Sequence, residues 1–399
     1  MSLNNTASAE RLHIGFFGNR NAGKSSLVNA VTSQQLSVVS DVAGTTTDPV
    51  KKAMELLPLG PVVIIDTAGF DDVGLLGELR VSKTREIIRR TDIAVLVVDA
   101  LKGLDDYDNE LISLFNERNT PYIIAYNKCE LVDNKNTAKP NEIYVSAKQG
   151  ININELKQML GTISRRDSAP RAIVSDLLDK GDTAVLVIPI DEAAPKGRLI
   201  LPQQQTMRDL LDANLSFSVC QVPELADTLN NLSVKPRLVI TDSQAFGKVS
   251  KIVPDNISLT SFSILFARYK GDLKQLVLGA AALKRLKSGD KVLISEGCTH
   301  HRQCNDIGSV KMPNWIKEYT NADIEFCFTS GGEFPEDLNQ YALIVHCGGC
   351  MLNEKEMSYR LNKAGESGIP IVNYGVAIAM MHGILERSLE PFPQILELL

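Results

Sequence analysis

The 399-residue sequence has no run of eighteen uninterrupted apolar residues, so it offers no segment able to cross a membrane as a helix. Met1 to Arg11 has no basic stretch leading into an apolar one, and the chain is expected to stay in the cytoplasm. Positive charge is in deficit. The 42 Lys+Arg against 48 Asp+Glu leave a net charge of −6, without the broad positive field that non-specific nucleic-acid binding needs. Neither a nucleic acid nor a membrane is therefore expected as a partner. No repeat period or low-complexity tract is present. The seven cysteines, at 129, 220, 298, 304, 327, 347 and 350, are odd in number and do not form a disulfide framework. Reduced thiols or metal ligands are the better reading.

What is present is the composition of globular protein, 44% hydrophobic and 23% charged, in a chain long enough for two or three domains. Up to about Ser164, apolar strands alternate with glycine-rich turns and helical patterns. The strands read at Leu12 to Phe17, Val62 to Asp66, Ile93 to Asp99, Tyr122 to Asn127 and Ile143 to Val145, which predicts a parallel α/β sheet. Ser164 to Asp182, charged and broken by Pro170, reads as a linker. A second series has strands at 184–190, 217–222 and 237–241 and no cofactor motif. The helical run Phe266 to Leu286 leads into a third series, with strands at 292–296, 324–328, 343–346 and 369–374. The expected architecture is an α/β P-loop domain over 1–168, followed by two smaller parallel-sheet α/β domains over 169–265 and 266–399.

Directly after the first strand, Gly18-Asn-Arg-Asn-Ala-Gly23-Lys24-Ser25 is an unbroken G-x-x-x-x-G-K-S, placed before a helix as a phosphate-binding loop requires. Its backbone N–H groups would face the phosphates, Lys24 would neutralise the β/γ oxygens and Ser25 would ligate Mg²⁺. The loop assigns Asn19, Arg20, Asn21, Ala22, Gly23, Lys24, Ser25 and Ser26 to the nucleotide. Asp66-Thr-Ala-Gly69 ends a second strand, its carboxylate placed for Mg²⁺ and the Gly69 N–H for the γ-phosphate. Asn127-Lys128-Cys129-Glu130 stands where Asn-Lys-x-Asp reads guanine in GTPases, with glutamate in place of aspartate. Either carboxylate can accept from guanine N1 and N2, although the extra methylene must be absorbed by the loop. Ser146, Ala147 and Lys148 match the segment that supports the base. GTP is the expected nucleotide.

Between these elements, Asp41 to Asp48 contains Gly44-Thr-Thr-Thr, which resembles the switch of the tRNA-modification and ribosome-assembly branch of GTPases. That resemblance implies that Thr46 reaches Mg²⁺ in the GTP state. Phe70 follows Gly69 where Ras-like proteins place a water-orienting glutamine. Asn21 sits where potassium-activated members carry an asparagine ligand, and K⁺ held there would place positive charge against the transferring phosphoryl group. Glu78 lies at the spacing of a glutamate that acts through water in one member, and equally reads as an acidic residue on an amphipathic helix.

In the third series Cys298-Thr-His300-His301 follows the strand at 292–296, and His346-Cys347-Gly-Gly-Cys350 follows that at 343–345. In a parallel sheet both segments emerge at the carboxyl edge, where open α/β sheets bind ligands. Three thiolates suit a 4Fe-4S cluster with one weakly ligated iron, while a Cys₃His zinc site or uncoordinated thiols are the other readings. Cys129, Cys220 and Cys327 lie in or beside apolar strands and read as core residues, and Cys304 has no assigned role.

A P-loop GTPase followed by C-x-H, about 45 residues and H-C-x-x-C resembles the FeFe-hydrogenase maturation GTPases over essentially the whole chain. The segment Ile190-Asp-Glu-Ala-Ala-Pro-Lys-Gly-Arg-Leu-Ile-Leu-Pro202 strengthens the resemblance. It implies a GTP-hydrolysing scaffold or carrier with a central dimerisation domain, hence a homodimer. It further implies a C-terminal domain that holds a 4Fe-4S cluster through Cys298, Cys347 and Cys350, with His300 or His346 as candidate fourth ligand. The cargo it implies is a precursor of the hydrogenase di-iron subcluster, and the partners are two radical-SAM maturases and the apo-hydrogenase. Two competing classes are a nucleic-acid-binding GTPase and a GTPase with a structural zinc site. The first would need a basic appendage, whereas residues 271–399 hold 12 Lys+Arg against 16 Asp+Glu.

Overall fold

The apolar runs of the first unit, residues 1–170, build one six-stranded sheet in a computed structural model that describes residues 11–33, 50–67, 77–133, 139–166, 171–190, 199–297, 307–349 and 352–399. The strands are β1 (Leu12–Phe17), β2 (Val50–Leu56), β3 (Gly60–Asp66), β4 (Ile93–Asp99), β5 (Tyr122–Asn127) and β6 (Glu142–Tyr144), in the order β2-β3-β1-β4-β5-β6. All pairs are parallel except β2 with β3. Side chains alternate between the two faces of a strand, and here both faces are covered, so the strands are apolar throughout. Ile14, Phe16, Val95 and Val97 pack toward Leu27 of α1 (Lys24–Thr32) and Leu156 of α4 (Ile153–Arg166). On the other face, Phe17, Ile65, Leu96 and Val98 pack against Ile88 of α2 (Gly77–Arg89) and Phe115 of α3 (Asp106–Glu117).

The edge strand β2 has no counterpart in the apolar pattern. Its sequence, Val-Lys-Lys-Ala-Met-Glu-Leu, is interrupted by three charged residues, which an edge strand bordering solvent on one side tolerates. Pairing with β3 through a tight hairpin, closed by the Leu59 N–H to the Leu56 carbonyl, makes it a strand despite its composition.

The second unit, residues 171–399, carries two four-stranded, all-parallel sheets. The first orders β7 (Thr183–Val187), β8 (Ser216–Cys220), β9 (Leu238–Thr241) and β10 (Ser258–Ser261) as β10-β9-β7-β8. The second orders β11 (Lys291–Glu296), β12 (Glu325–Ser330), β13 (Leu343–His346) and β14 (Ile371–Asn373) as β12-β11-β13-β14. Short, hydroxyl-rich β10 also escaped the sequence pattern; Leu259 and Thr260 are buried, and the Thr260 hydroxyl donates to the Ser388 carbonyl. Helices at 201–212 and 225–231, designated α5 and α6, and a single turn at 246–249, α7, connect the first sheet.

The helical run after the first sheet divides into α8 (Phe262–Lys270) and α9 (Leu273–Ala280), the second capped by the Asp272 side chain accepting from the Gln275 N–H. Helix α8 spans the expected 265/266 boundary. One hydrophobic cluster, from Leu186 and Ile240 through Phe262 and Leu276 to Ile344 and Ile378, is shared by both sheets of this unit. Helices α10 (Met312–Thr320), α11 (Glu354–Glu366) and α12 (Tyr374–Met381) belong to the last sheet, and single turns at Leu385–Ser388 and Pro393–Leu396 follow them.

Candidate functional site

In the first sheet the chain leaves β1 toward β3 and leaves β4 toward β5, so the topological switch point lies between β1 and β4. Open α/β sheets bind ligands in the crevice at such a point, and the phosphate-loop sequence begins here. Gly18 has φ +132° and Gly23 has φ +91°. A Cβ on Gly18 would lie 2.1 Å from the Val97 carbonyl oxygen, and one on Gly23 would lie 2.3 Å from Asn127 Nδ2. Both positions therefore need glycine for conformation and for space. Asn21 between them is also left-handed, at φ 62° and exposed, a conformation asparagine tolerates. Left-handed residues interleaved with ordinary ones turn successive N–H groups toward one concavity, the geometry of an anion nest.

Lys24 opens α1 and is buried, its Nζ donating to the carbonyls of Gly18 at 2.8 Å and Asn19 at 2.9 Å. Ser25 Oγ donates to Asp66 Oδ2 at 2.9 Å, which brings together the hydroxyl and the carboxylate assigned to Mg²⁺. Thr67 donates to the Phe16 carbonyl at 2.7 Å and ties the end of β3 to β1. Ala22 is buried, Ser26 half-buried and Arg20 exposed.

The base-reading segment is built onto the same loop. Buried Asn127 donates through Nδ2 to the Ala22 carbonyl at 3.0 Å and accepts from the Ala147 N–H at 3.0 Å. Lys128 Nζ bonds the Asn21 carbonyl at 2.7 Å and Asp99 Oδ2 at 2.6 Å. Burial opposes ionisation of Asp99, but the Lys128 hydrogen bond, the Leu101 N–H and the charges of Lys128 and Lys102 hold its carboxyl below the usual value. Glu130 is likewise held low, first by a hydrogen bond from Ser146. Its Oε2 is buried and has no hydrogen-bond partner among the described residues. An orphaned acceptor at this position is what the N1 and N2 donors of guanine require, so the residues present fit the base. Ser146 is fully buried, and Lys148 is exposed.

Three acidic residues at this site carried no motif. Asp99 ends β4 and holds Lys128; Asp105 and Asp108 flank the start of α3. Asn19 Nδ2 donates to Asp105 Oδ2 at 2.8 Å and to Asp108 Oδ1 at 3.2 Å, anchoring the phosphate loop to the α3 N-terminus. Asp105-x-x-Asp108 is a capping box, with the Asp108 N–H donating to Asp105 Oδ1 at 3.0 Å. That bond holds the Asp105 carboxyl low. Burial, then the negative charge of Asp105, pushes Asp108 up to about 6. The D-x-x-D spacing at the start of an amphipathic helix was the available signal.

The third sheet repeats the topological logic. The chain leaves β11 toward β12 and β13 toward β14, so the switch point falls between the adjacent strands β11 and β13. Ser295 pairs with His346, and the Cys347 N–H donates to the Ser295 carbonyl at 2.9 Å. The segment entering Cys298 and the segment carrying Cys347 thus leave the sheet side by side. Cys347 is buried, and its Sγ accepts from the Gly297 N–H at 3.0 Å and the Gly349 N–H at 3.4 Å. A sulfur receiving two backbone N–H donors is a site prepared for thiolate, the form that ligates metal, so its surroundings fit a cluster ligand.

His346 is fully buried with both ring nitrogens engaged: Nδ1 lies 2.6 Å from the Cys347 carbonyl and Nε2 3.0 Å from Arg360 Nη1. Thr46, Gly69, Cys298, His300 and Cys350 lie outside the described residues, as do Cys304 and Phe70; for Glu78 the backbone lies in α2. Among the described residues no group of three or more His, Cys, Asp or Glu is placed to hold a metal. Cys129 is buried in the first unit, and Cys220 and Cys327 pack half-buried against their clusters. No described helix is long and apolar enough to cross a membrane.

Profiles of known families match three successive stretches of the chain. Residues 13–128 match the profile of the 50S ribosome-binding GTPase family, 173–271 that of the Hydrogen maturase F dimerization domain and 274–391 that of the Hydrogen maturase F tetramerization domain. GTPase Der of Fusobacterium nucleatum is 37% identical over 138 residues, covering 34% of this chain and 31% of that protein. The tRNA modification GTPase MnmE of Bordetella petrii is 32% identical over 152 residues, covering 38% of this chain and 33% of that protein. The chain spans about a third of the length of these curated relatives. Among solved structures, a variant of Aquifex aeolicus Era bound to GDP·AlF₄⁻ matches at 16% identity and TM-score 0.33, covering 55% of this chain and 98% of that one. Both Hydrogen maturase F domains, together more than half of the chain, follow a P-loop GTPase domain in one polypeptide, and the protein belongs to the Hydrogen maturase F family of hydrogenase-maturation GTPases.

Proposed function

We propose that the protein hydrolyses GTP and serves as a scaffold that holds a 4Fe-4S cluster through Cys298, Cys347 and Cys350 and delivers a di-iron precursor to apo FeFe-hydrogenase. The observation that carries the cluster assignment is the placement of the Cys347 thiol. It sits at the switch point between β11 and β13 under two backbone N–H donors, one of them from Gly297, the residue before Cys298. Cys350 follows two residues beyond Gly348, at the spacing cluster-binding loops use. A bound cluster would supply an iron with an exchangeable position for cargo; the protein's part is to hold three sulfurs and exclude water.

At the other site, Lys24, Ser25, Asp66, Asn127 and Glu130 would hold GTP and Mg²⁺, with Thr46 and Gly69 completing the contacts to the metal and the γ-phosphate. With no glutamine after Gly69 to orient water, K⁺ at Asn21 would supply the charge that stabilises the transferring phosphoryl group. The regions matched to dimerization and tetramerization domains support self-association as at least a homodimer. Two radical-SAM maturases and the apo-hydrogenase are the proposed partners.

The test separates the two sites. Anaerobically reconstituted Cys298→Ala, Cys347→Ala and Cys350→Ala proteins are expected to lose the cluster EPR signal and hydrogenase activation while keeping GTP turnover. Lys24→Ala should abolish turnover, through a loss of about 3–4 kcal/mol of transition-state stabilisation, while leaving iron content intact. A cysteine variant with full iron content would remove that residue from the ligand set. A nucleic-acid-binding GTPase, the competing reading, predicts tight RNA binding and no iron.

A further inference from the structure

Behind Cys347 lies a cluster of polar and charged side chains with almost no access to water. Arg360 and His346 are 0% exposed and Glu356 is 1% exposed, all within the second unit. Arg360 lies one helical turn beyond Glu356 on α11, the helix that follows the His-Cys-Gly-Gly-Cys loop, and its Nε donates to Glu356 Oε1 at 2.9 Å. The rest of the guanidinium reaches the carboxyl ends of three neighbouring strands. Nη1 bonds His346 Nε2 on β13 at 3.0 Å and Ser295 Oγ on β11 at 3.3 Å, and Nη2 bonds the Gly331 carbonyl just after β12 at 2.8 Å. The Phe334 ring covers it, 5.2 Å from Cζ to the centroid.

A guanidinium can only donate, so Nε2 of His346 is the acceptor and the ring proton resides on Nδ1. The ring is therefore neutral and donates to the Cys347 carbonyl. Buried charge is costly unless it is paired, and a buried ion pair is poor evidence for stability alone. Hydrophobic residues would fill the same volume at less cost in desolvation. The arrangement here joins the two strands whose ends carry the cysteines, and it does so through the backbone of a cysteine itself.

We propose that Arg360 is the positioning residue of the cluster site: by pinning β11, β12 and β13 from α11 and orienting His346 onto the Cys347 carbonyl, it fixes the geometry in which the three thiolates meet the cluster. This rests on the cluster reading above, and it assigns His346 to orientation of the loop. The planar fork of arginine matters because one ammonium cannot reach His346, Ser295 and Gly331 together while also pairing with Glu356.

The test uses full-length protein reconstituted anaerobically with iron and sulfide, compared with Arg360→Lys and with the double variant Glu356→Gln/Arg360→Met. The double variant removes both charges and leaves no buried unpaired ion, so folding, followed by thermal melting, is retained. The expected result is that both variants release iron to an external chelator at least about tenfold faster than wild type, because a looser set of ligands opens more often. The EPR spectrum of the reduced cluster should also change in both, with GTP turnover unaltered. Wild-type iron retention and an unchanged spectrum in the double variant would overturn the inference alone. So would full restoration by lysine, since the forked geometry would then be irrelevant. A wild-type protein that takes up no iron, or a Cys347→Ala protein that keeps it, would overturn the cluster reading and this inference with it.

Discussion

Gly23→Ala tests the coupling between the phosphate loop and the base-reading segment. The added Cβ would lie 2.3 Å from Asn127 Nδ2, far inside contact distance, at a backbone φ of +91°. The left-handed conformation alone costs an L-residue about 1–2 kcal/mol. To escape the clash the Asn127 amide must move, which breaks its hydrogen bonds to the Ala22 carbonyl and from the Ala147 N–H, both 3.0 Å long. Each buried group left unsatisfied costs about 1–3 kcal/mol, and partial relaxation recovers some of that. If about 1.4–2.8 kcal/mol falls on the nucleotide-binding conformation, the Kd for GDP rises about 10- to 100-fold.

Titration with a fluorescent GDP analogue measures this. Gly60→Ala is the control: its φ of +87° imposes the same conformational penalty, but nothing lies within 4 Å of the new Cβ and the site is the β2–β3 hairpin. It should lower Tm slightly and leave Kd unchanged. A Gly23→Ala protein that binds GDP within threefold of wild type would refute the reasoning, because Asn127 would then not depend on the open space at Gly23.

GTP hydrolysis should be faster in K⁺ than in Na⁺ at equal ionic strength, since the smaller ion fits a K⁺ cage poorly, and equal rates would return Asn21 to a purely conformational role in the loop. Asp108 carries a carboxyl pushed up to about 6, above the unfolded value of 3.8, so the folded state prefers it protonated. Its contribution to stability is fully present below pH 3.8 and is lost as pH rises through about 6, so Asp108→Asn should flatten the pH dependence of chemical denaturation between those limits. A denaturation profile for Asp108→Asn parallel to wild type across that window would contradict the assignment.

Much of the nucleotide site was legible because its chemistry is local. G-x-x-x-x-G-K-S, Asp66-Thr-Ala-Gly69 and Asn127-Lys-x-Glu130 each place their groups within a few residues, and the apolar runs between them declared the parallel strands that bring the phosphate loop, Asp66 and Asn127 to one edge. Strands covered on both faces are largely apolar, so β1, β4 and β5 were visible, whereas the charge-interrupted edge strand β2 and short β10 were not. Likewise, the H-C-x-x-C segment pointed to the end of β13, where Cys347 is the first residue beyond the strand.

What the sequence alone could not supply were the contacts between residues far apart in the chain. The bond from Asn19 to Asp105 and Asp108 spans nearly ninety positions, and Arg360 reaches Ser295 across 65. No periodicity or motif encodes such pairs, because a side chain finds a distant partner only once helix packing and strand order have fixed where each backbone runs. The sequence placed the C-x-H and H-C-x-x-C segments directly after two apolar strands. Only the tertiary structure decided that β11 and β13 are neighbours at a switch point, that Gly297 donates to the Cys347 sulfur, and that the ring of His346 faces Arg360. The reason is that burial drives polar groups in that interior toward partners, and which partner is available is set by the fold rather than by the neighbouring residues.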